Sequence, residues 1–83
     1  MKYMDMVTIK NEMKEIVELM DFEDLYYDDF KWFSEINYTT TTEYLGELKI
    51  FIKKIQYNNK FKKYQKKFRI MCKSIDKLLN IYM

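Results

Sequence analysis

The chain has 83 residues, of which 48% are apolar and 18% aromatic, so it can build one small hydrophobic core and is too apolar for a disordered chain. With one cysteine and no histidine, it has neither an intramolecular disulfide nor the Cys/His ligands of a zinc site. The net charge is +2, but residues 1–50 carry 12 acids and 5 bases, whereas residues 51–83 carry 1 acid and 10 bases.

A first helix is predicted over about residues 9–20. Apolar residues recur there at steps of three and four, the spacing of one helical face: Ile9, Met13, Ile16, Val17 and Met20. Thr8 precedes this run and is the predicted N-cap, while Glu12 and Glu15 suit the early turns, where a helix attracts negative charge.

A second helix is predicted to begin after Asp21, as its N-cap, and to run to about Asn37. Its apolar residues show the same spacing: Phe22, Leu25, Tyr26, Phe30, Phe33 and Ile36. On such a helix four acids would share one face, namely Asp21, Asp24, Asp28 and Glu35. With Asp29, Tyr27 and Trp32 they form a candidate partner-binding face, because tyrosine and tryptophan are enriched at binding hot spots.

A third helix is predicted after the threonine-rich segment 37–42, which interrupts the periodicity. Thr40 and Glu43 have the spacing of a capping box at its start. The apolar residues that define the helix are Tyr44, Leu48, Phe51, Ile52 and Ile55. The alternation of Leu48, Ile50 and Ile52 also permits a short β-hairpin over residues 38–52, which is the alternative.

A fourth, long helix is predicted over about residues 60–82, roughly 35 Å in length at 1.5 Å per residue. Its apolar seam comprises Phe61, Tyr64, Phe68, Met71, Ile75, Leu78 and Tyr82. Asn58 and Asn59 are candidate caps, and without a break there the third and fourth helices would merge into one rod. A basic face lies off the seam: Lys62, Lys63, Lys66, Lys67, Arg69, Lys73 and Lys77. Cys72 adjoins the seam and is predicted to be partly buried.

These elements predict an all-α fold, a small bundle of three to four helices in a single domain over residues 1–83. Phosphate-binding loops, nucleophile elbows and metalloprotease motifs are missing from the sequence, so we expect no enzyme activity, no cofactor and no metal. Asp28 and Asp29 are adjacent and would point about 100° apart on a helix, which does not suit a paired-carboxylate site. No apolar run approaches the ~20 residues that span a bilayer, and we expect a cytoplasmic protein with no membrane partner.

The remaining function class is binding. Residue types with AT-rich codons (Lys, Asn, Ile, Tyr and Phe) fill 42 of the 83 positions, so the lysines partly reflect genome composition, whereas the clustered acids need another explanation. In its size, AT-rich composition and polarised charge the chain resembles the small inhibitors of phages and mobile elements, including anti-CRISPR proteins. The resemblance implies a protein partner, a nucleic-acid-binding complex whose basic groove receives the acidic face. The alternative is a module that binds nucleic acid through the basic face, and a homodimer is also compatible with the sequence. The sequence also leaves open that the acids of the second helix pair with the basic face of the fourth helix inside the fold.

Overall fold

A computed structural model describes residues 2–35 and 41–82. They form α1 (Met6–Glu18), α2 (Tyr27–Glu35), α3 (Thr41–Ile55), a 3-10 helix (Asn59–Tyr64) and α4 (Gln65–Tyr82). No strand occurs in these two described ranges, so the prediction of an all-α fold is confirmed. The alternative hairpin is wrong for residues 41–52, which are helical, and its segment 38–40 lies outside the described residues.

The chain divides into two compact units. The first, Asp5–Asn37, contains α1 packed against α2. The second comprises Met1–Met4 and Tyr38–Met83 and contains α3 packed against α4. The prediction of a single domain over residues 1–83 stays a prediction.

Helix α1 begins three residues earlier than predicted, because Asp5 and not Thr8 is its N-cap. The Asp5 carboxylate accepts a hydrogen bond of 2.8 Å from the backbone N–H of Thr8, which is already inside the helix. This bond lowers the pKa of Asp5 below its ordinary value. The predicted apolar face is correct at its centre, since Ile9, Met13 and Ile16 are fully buried.

The second helix begins at Tyr27, so the prediction of a helix starting at Asp21 is wrong. Two successive side-chain-capped turns occupy the segment instead: Asp21 Oδ1 accepts from the N–H of Glu23 at 3.1 Å, and Asp24 Oδ1 accepts from the N–H of Tyr26 at 2.9 Å. Aspartate carboxylates compete for backbone donors in this way and favour turns over helix. The apolar residues Phe22 and Leu25 therefore never enter a helical face.

Helix α2 itself packs as predicted, with Phe30 and Phe33 buried. Asp28 and Asp29 lie in its first turn, where the positive end of the helix dipole stabilises carboxylates. The predicted end near Asn37 and the predicted cap Thr40 of α3 both lie outside the described residues.

In the second unit, α3 and α4 bury most of the residues that the periodicity assigned to the core: Tyr44, Leu48, Phe51, Ile52, Ile55, Phe68, Met71 and Ile75. Leu45 is buried as well. The predicted seam residues Tyr64 and Leu78 are only half-buried, and the side chain of Tyr82 lies outside the described ones. A salt bridge between Lys49 of α3 and Asp76 of α4 joins the two helices at their surface. The two helices therefore pack through their apolar faces, and the Lys49–Asp76 ion pair lies at the edge of that contact.

The break between α3 and α4 makes α4 shorter than predicted and rules out the merged rod. Asn58 is extended and caps the 3-10 helix, since its side chain accepts from the N–H of Lys60 at 2.9 Å. Phe61 leaves helical backbone geometry, and its buried ring meets that of Phe68 edge to face at 6.5 Å between centroids. The α-helix begins only at Gln65, and its 18 residues span about 27 Å.

Candidate functional site

The sequence 15–30 holds seven acids and no base. Asp21, Asp28, Asp29 and Glu35 are exposed, while Asp24 is half-buried. The predicted stripe along one helix is wrong, because Asp21 and Asp24 belong to the turns before α2 and use their carboxylates to cap backbone N–H groups. The acidic region is thus a turn segment followed by a short helix.

Three residues of the predicted partner-binding face do lie together on α2. Asp28, Trp32 and Glu35 lie four and three residues apart, so they share one side of the helix. Trp32 is 44% exposed, and its ring meets Phe33 edge to face at 4.7 Å between centroids. Tyr27 is half-buried. Trp32 therefore rests on the core of the unit and presents the rest of its surface to solvent beside the acids.

The structure adds two residues that sequence reasoning had assigned to the core. Phe22 is 74% exposed and Leu25 is 83% exposed. Asp21 and Asp24 were the available signal, because an aspartate side chain can accept from the backbone N–H two residues on and so favours a turn over a helix. The exposed acidic and apolar side chains of residues 21–32 are called the acidic–apolar surface below: Asp21, Phe22, Glu23, Leu25, Asp28, Asp29 and Trp32. The base Lys31 is exposed in the same range.

A second candidate site lies in the other unit. A cleft of about 510 Å³ is lined by Lys2, Lys66, Arg69, Ile70 and Lys73. Lys66, Arg69 and Lys73 are three and four positions apart on α4 and so share one helical face, with Ile70 next to Arg69. Among the described residues that line it, four are cations and none is an acid. We call it the basic cleft.

The predicted basic face is only partly realised by this cleft. Lys66, Arg69 and Lys73 line it. Lys62 and Lys63 belong to the 3-10 helix, where the geometry differs from that of α4, and Lys63 Nζ lies 5.2 Å from the ring centroid of Tyr64. Lys67 is half-buried. The continuous basic face of the prediction is therefore wrong, because the α-helix that would carry it begins only at Gln65.

Lys2 reaches the cleft because the segment before α1 is attached to α4. The N–H of Met4 donates to Ser74 Oγ at 2.8 Å, and Ser74 Oγ donates to the carbonyl of Ile70 at 2.7 Å. Lys77 Nζ lies over the ring of Tyr3, 4.2 Å from its centroid. The sequence had no local signal for this contact, because it joins residues at opposite ends of the chain.

A smaller pocket of about 150 Å³ adjoins the basic cleft and shares Arg69 with it. Its other lining residues are Gln56, Tyr57 and Gln65. Tyr57 is 75% exposed, whereas Phe61 and Phe68 are buried. The core therefore uses the side chains of Phe61 and Phe68, whereas the Tyr57 ring remains accessible to a ligand. We call this pocket the tyrosine pocket.

Cys72 is half-buried, as predicted, and desolvation raises the pKa of its thiol, which opposes formation of a reactive thiolate. Within residues 2–35 and 41–82, no group of His, Cys, Asp or Glu side chains is arranged to hold a metal ion. None of the helices in the same ranges is both long and apolar enough to cross a bilayer.

Comparison of the chain with protein-family models, with curated proteins and with solved structures finds no match.

Proposed function

We propose that the protein is a non-enzymatic binding protein that docks through the acidic–apolar surface on a basic groove of a nucleic-acid-handling protein complex. The proposal places it with the small inhibitors of phages and mobile elements, of the anti-CRISPR kind. The observation that carries it is the exposure of Phe22 and Leu25 among acids. A surface of acids alone would be an ordinary solvated face.

The apolar residues supply the affinity in this proposal. Fully burying a side chain such as phenylalanine or leucine is worth about 1.5–3 kcal/mol, a gain that Phe22 and Leu25 leave largely unused in the free protein. Trp32, half-exposed on α2, is of a residue type that dominates binding hot spots. A partner that covers these side chains must offer an apolar pocket.

The acids supply the charge complementarity. Seven acids without a base in residues 15–30 would repel an acidic surface and attract a basic one, such as a groove that binds nucleic acid. Because exposed charges steer encounter over about 10 Å at moderate salt, the association rate should fall as salt rises.

The turn hydrogen bonds prepare the surface for docking. Asp21 and Asp24 hold the backbone on either side of Phe22 and just after Leu25 in fixed turns. A segment already ordered in the free protein loses less conformational entropy on binding than a flexible one.

Site-specific crosslinking in cells of the native host tests the proposal. A photoreactive phenylalanine analogue replaces Phe22 in one variant and Ile50 in a control, since Ile50 is equally exposed but lies on α3 in the other unit. We expect a crosslink to a defined basic protein from position 22 and none from position 50.

Purification of tagged variants completes the experiment. We expect the same protein to co-purify with the wild type and with Glu43→Gln/Glu47→Gln, and to be lost with Phe22→Ala/Leu25→Ala and with Asp28→Asn/Asp29→Asn. Equal capture by all four proteins, or crosslinks of equal yield from both positions, would refute the proposal. Crosslinking of the chain only to itself would identify the surface as a homodimer interface and refute it as well.

A further inference from the structure

We propose that the basic cleft and the tyrosine pocket together form a binding site for single-stranded nucleic acid, in which phosphates lie in the cleft and one unpaired base stacks on Tyr57. This site lies in the second compact unit and shares no residue with the acidic–apolar surface. The two proposals can therefore be tested independently of each other.

The cleft has the charge and geometry that a phosphate backbone requires. Lys66, Arg69 and Lys73 follow one another along α4 at three- and four-residue steps, about 5 Å per step, and Lys2 adds a fourth cation from a separate segment. The bond from Met4 to Ser74 attaches the segment that carries Lys2 to α4. A site assembled from two distant segments differs from a row of lysines that merely solvates a helix.

The tyrosine pocket has the chemistry that a base requires. The Tyr57 ring is exposed and can stack on any base, since every base has a π-face. Gln56 and Gln65 place amide groups around it, each with donors and an acceptor for the edge of a base. Arg69 lines both the pocket and the cleft, so it can contact the phosphate next to the stacked base.

The turn between α3 and the 3-10 helix keeps Tyr57 in this position. The N–H of Gln56 donates to the carbonyl of Ile52 at 2.8 Å, and the N–H of Asn58 donates to the carbonyl of Ile55 at 2.9 Å. Tyr57 lies between these two bonded residues. Its exposure is therefore a feature of an ordered turn.

A preference for single strands separates this site from simple charge attraction. A duplex carries more phosphate charge per length than a single strand, so electrostatics alone would favour the duplex. A stacked base must be unpaired and accessible, which a duplex does not offer.

Fluorescence anisotropy with the purified full chain tests the site. The probes are a labelled thymidine oligonucleotide of 12 residues, a duplex of the same length, and vesicles of phosphatidylserine and phosphatidylcholine as the competing anionic surface. We expect binding to the single strand to be tighter than to the duplex and to weaken steeply with salt. Tighter binding to the duplex, or binding to vesicles alone, would overturn the proposal.

Two variants and their controls divide the site into its parts. Lys66→Gln/Arg69→Gln/Lys73→Gln should reduce the slope of log affinity against log salt by about 2, as expected for three single-strand phosphate contacts. The control Lys14→Gln/Lys53→Gln/Lys54→Gln removes the same number of positive charges outside the cleft and the pocket. It should change the slope of log affinity against log salt much less. Tyr57→Ala should weaken binding on the order of tenfold, whereas Tyr57→Phe keeps the ring and should bind like the wild type.

Crosslinking of the wild-type protein tests the site without any substitution, so its result does not depend on whether the variants fold. Irradiation with an oligonucleotide containing 5-bromodeoxyuridine should crosslink the base to the peptide that contains Tyr57, identified by mass spectrometry. Crosslinks confined to other peptides would overturn the proposal, as would equal losses of affinity in the cleft variant and its charge-matched control.

Discussion

The side-chain oxygen of Ser74 accepts a hydrogen bond from the backbone N–H of Met4 at 2.8 Å, although 70 positions separate the two residues. Ser74 is fully buried within α4, and its hydroxyl also donates to the carbonyl of Ile70. The Ser74 hydroxyl thus donates one hydrogen bond within α4 and accepts another from Met4. The second bond attaches residues before α1 to α4. Lys2 lines the basic cleft as a consequence.

Ser74→Ala should therefore do more than remove a hydroxyl. Because the N–H of Met4 loses its partner, we expect a loss of about 1–2 kcal/mol in the free energy of unfolding, measured by urea denaturation. Amide exchange at Met4 should accelerate. The control is Ser34→Ala, since Ser34 is also buried and its hydroxyl donates to the carbonyl of Lys31 in its own helix. Unchanged exchange at Met4 in Ser74→Ala would contradict the attachment.

Gly46→Ala should stabilise the protein. Gly46 lies inside α3, and a Cβ placed on it would meet no atom within 4 Å. Alanine lowers the entropy of the unfolded chain and suits a helix better, so we expect a gain of about 0.5–1 kcal/mol in the free energy of unfolding. Chemical denaturation measures it, and a decrease would show that the position is more crowded than the structure indicates.

Asp5→Ala should lower the melting temperature at neutral pH, because the N-cap of α1 is lost. The hydrogen bond from Thr8 lowers the pKa of Asp5 in the folded state, so its contribution is complete above the unfolded value of 3.8 and disappears as pH falls through the lower folded pKa. The wild type and Asp5→Ala should consequently differ in melting temperature at pH 7 and converge in strong acid. Asp5→Asn keeps a cap and should melt close to the wild type at pH 7.

Phe68→Asp and Ile75→Asp should each unfold the second unit. Both side chains are fully buried on α4, and a buried unpaired carboxylate costs several kcal/mol, a large part of the stability of a chain this small. Circular dichroism should show the loss of helix. Ile81→Asp on the same helix is the control, because Ile81 is largely exposed. Cooperative folding of the first two variants would mean that the seam is a surface and not a core.

Replacing Asp24, Asp28 and Asp29 together by Asn should weaken partner binding by several kcal/mol in total, since the cations of the partner would be left desolvated and unpaired. Folding should survive, because asparagine also forms the side-chain-capped turn that Asp24 makes with Tyr26. Melting curves measured alongside a binding assay distinguish a role of these acids in folding from a role in partner binding. A lost melting transition would assign these acids to the fold, and intact melting with unchanged binding would remove them from the function.

Periodicity predicted the buried residues of this protein better than its helix ends. Ile9, Leu48 and Ile75 are buried where the three- and four-residue spacing placed them, because burying one face is the condition for a helix to pack. The ends depend on single hydrogen bonds that spacing does not report. Asp5 starts α1 earlier than Thr8 would, and Asn58 begins a 3-10 helix where an α-helix was predicted.

The candidate sites were less predictable than the core. Lys66, Arg69 and Lys73 could be chosen from their common helical face, and Asp28 with Trp32 likewise. Phe22 and Leu25 fitted a helical pattern equally well, yet the carboxylates of Asp21 and Asp24 capture backbone donors and stop the helix from forming there.

The sequence by itself determined that the chain is all-α, which faces of α1, α3 and α4 are apolar, and that acids and bases are separated along the chain. These properties depend on residue type and local spacing alone. Tertiary structure decided that Lys2 and Arg69 line the same cleft, and that Tyr57 is exposed while Phe61 is buried. Those outcomes depend on contacts between residues distant in the chain and on the competition of side chains for backbone hydrogen bonds, which spacing does not encode.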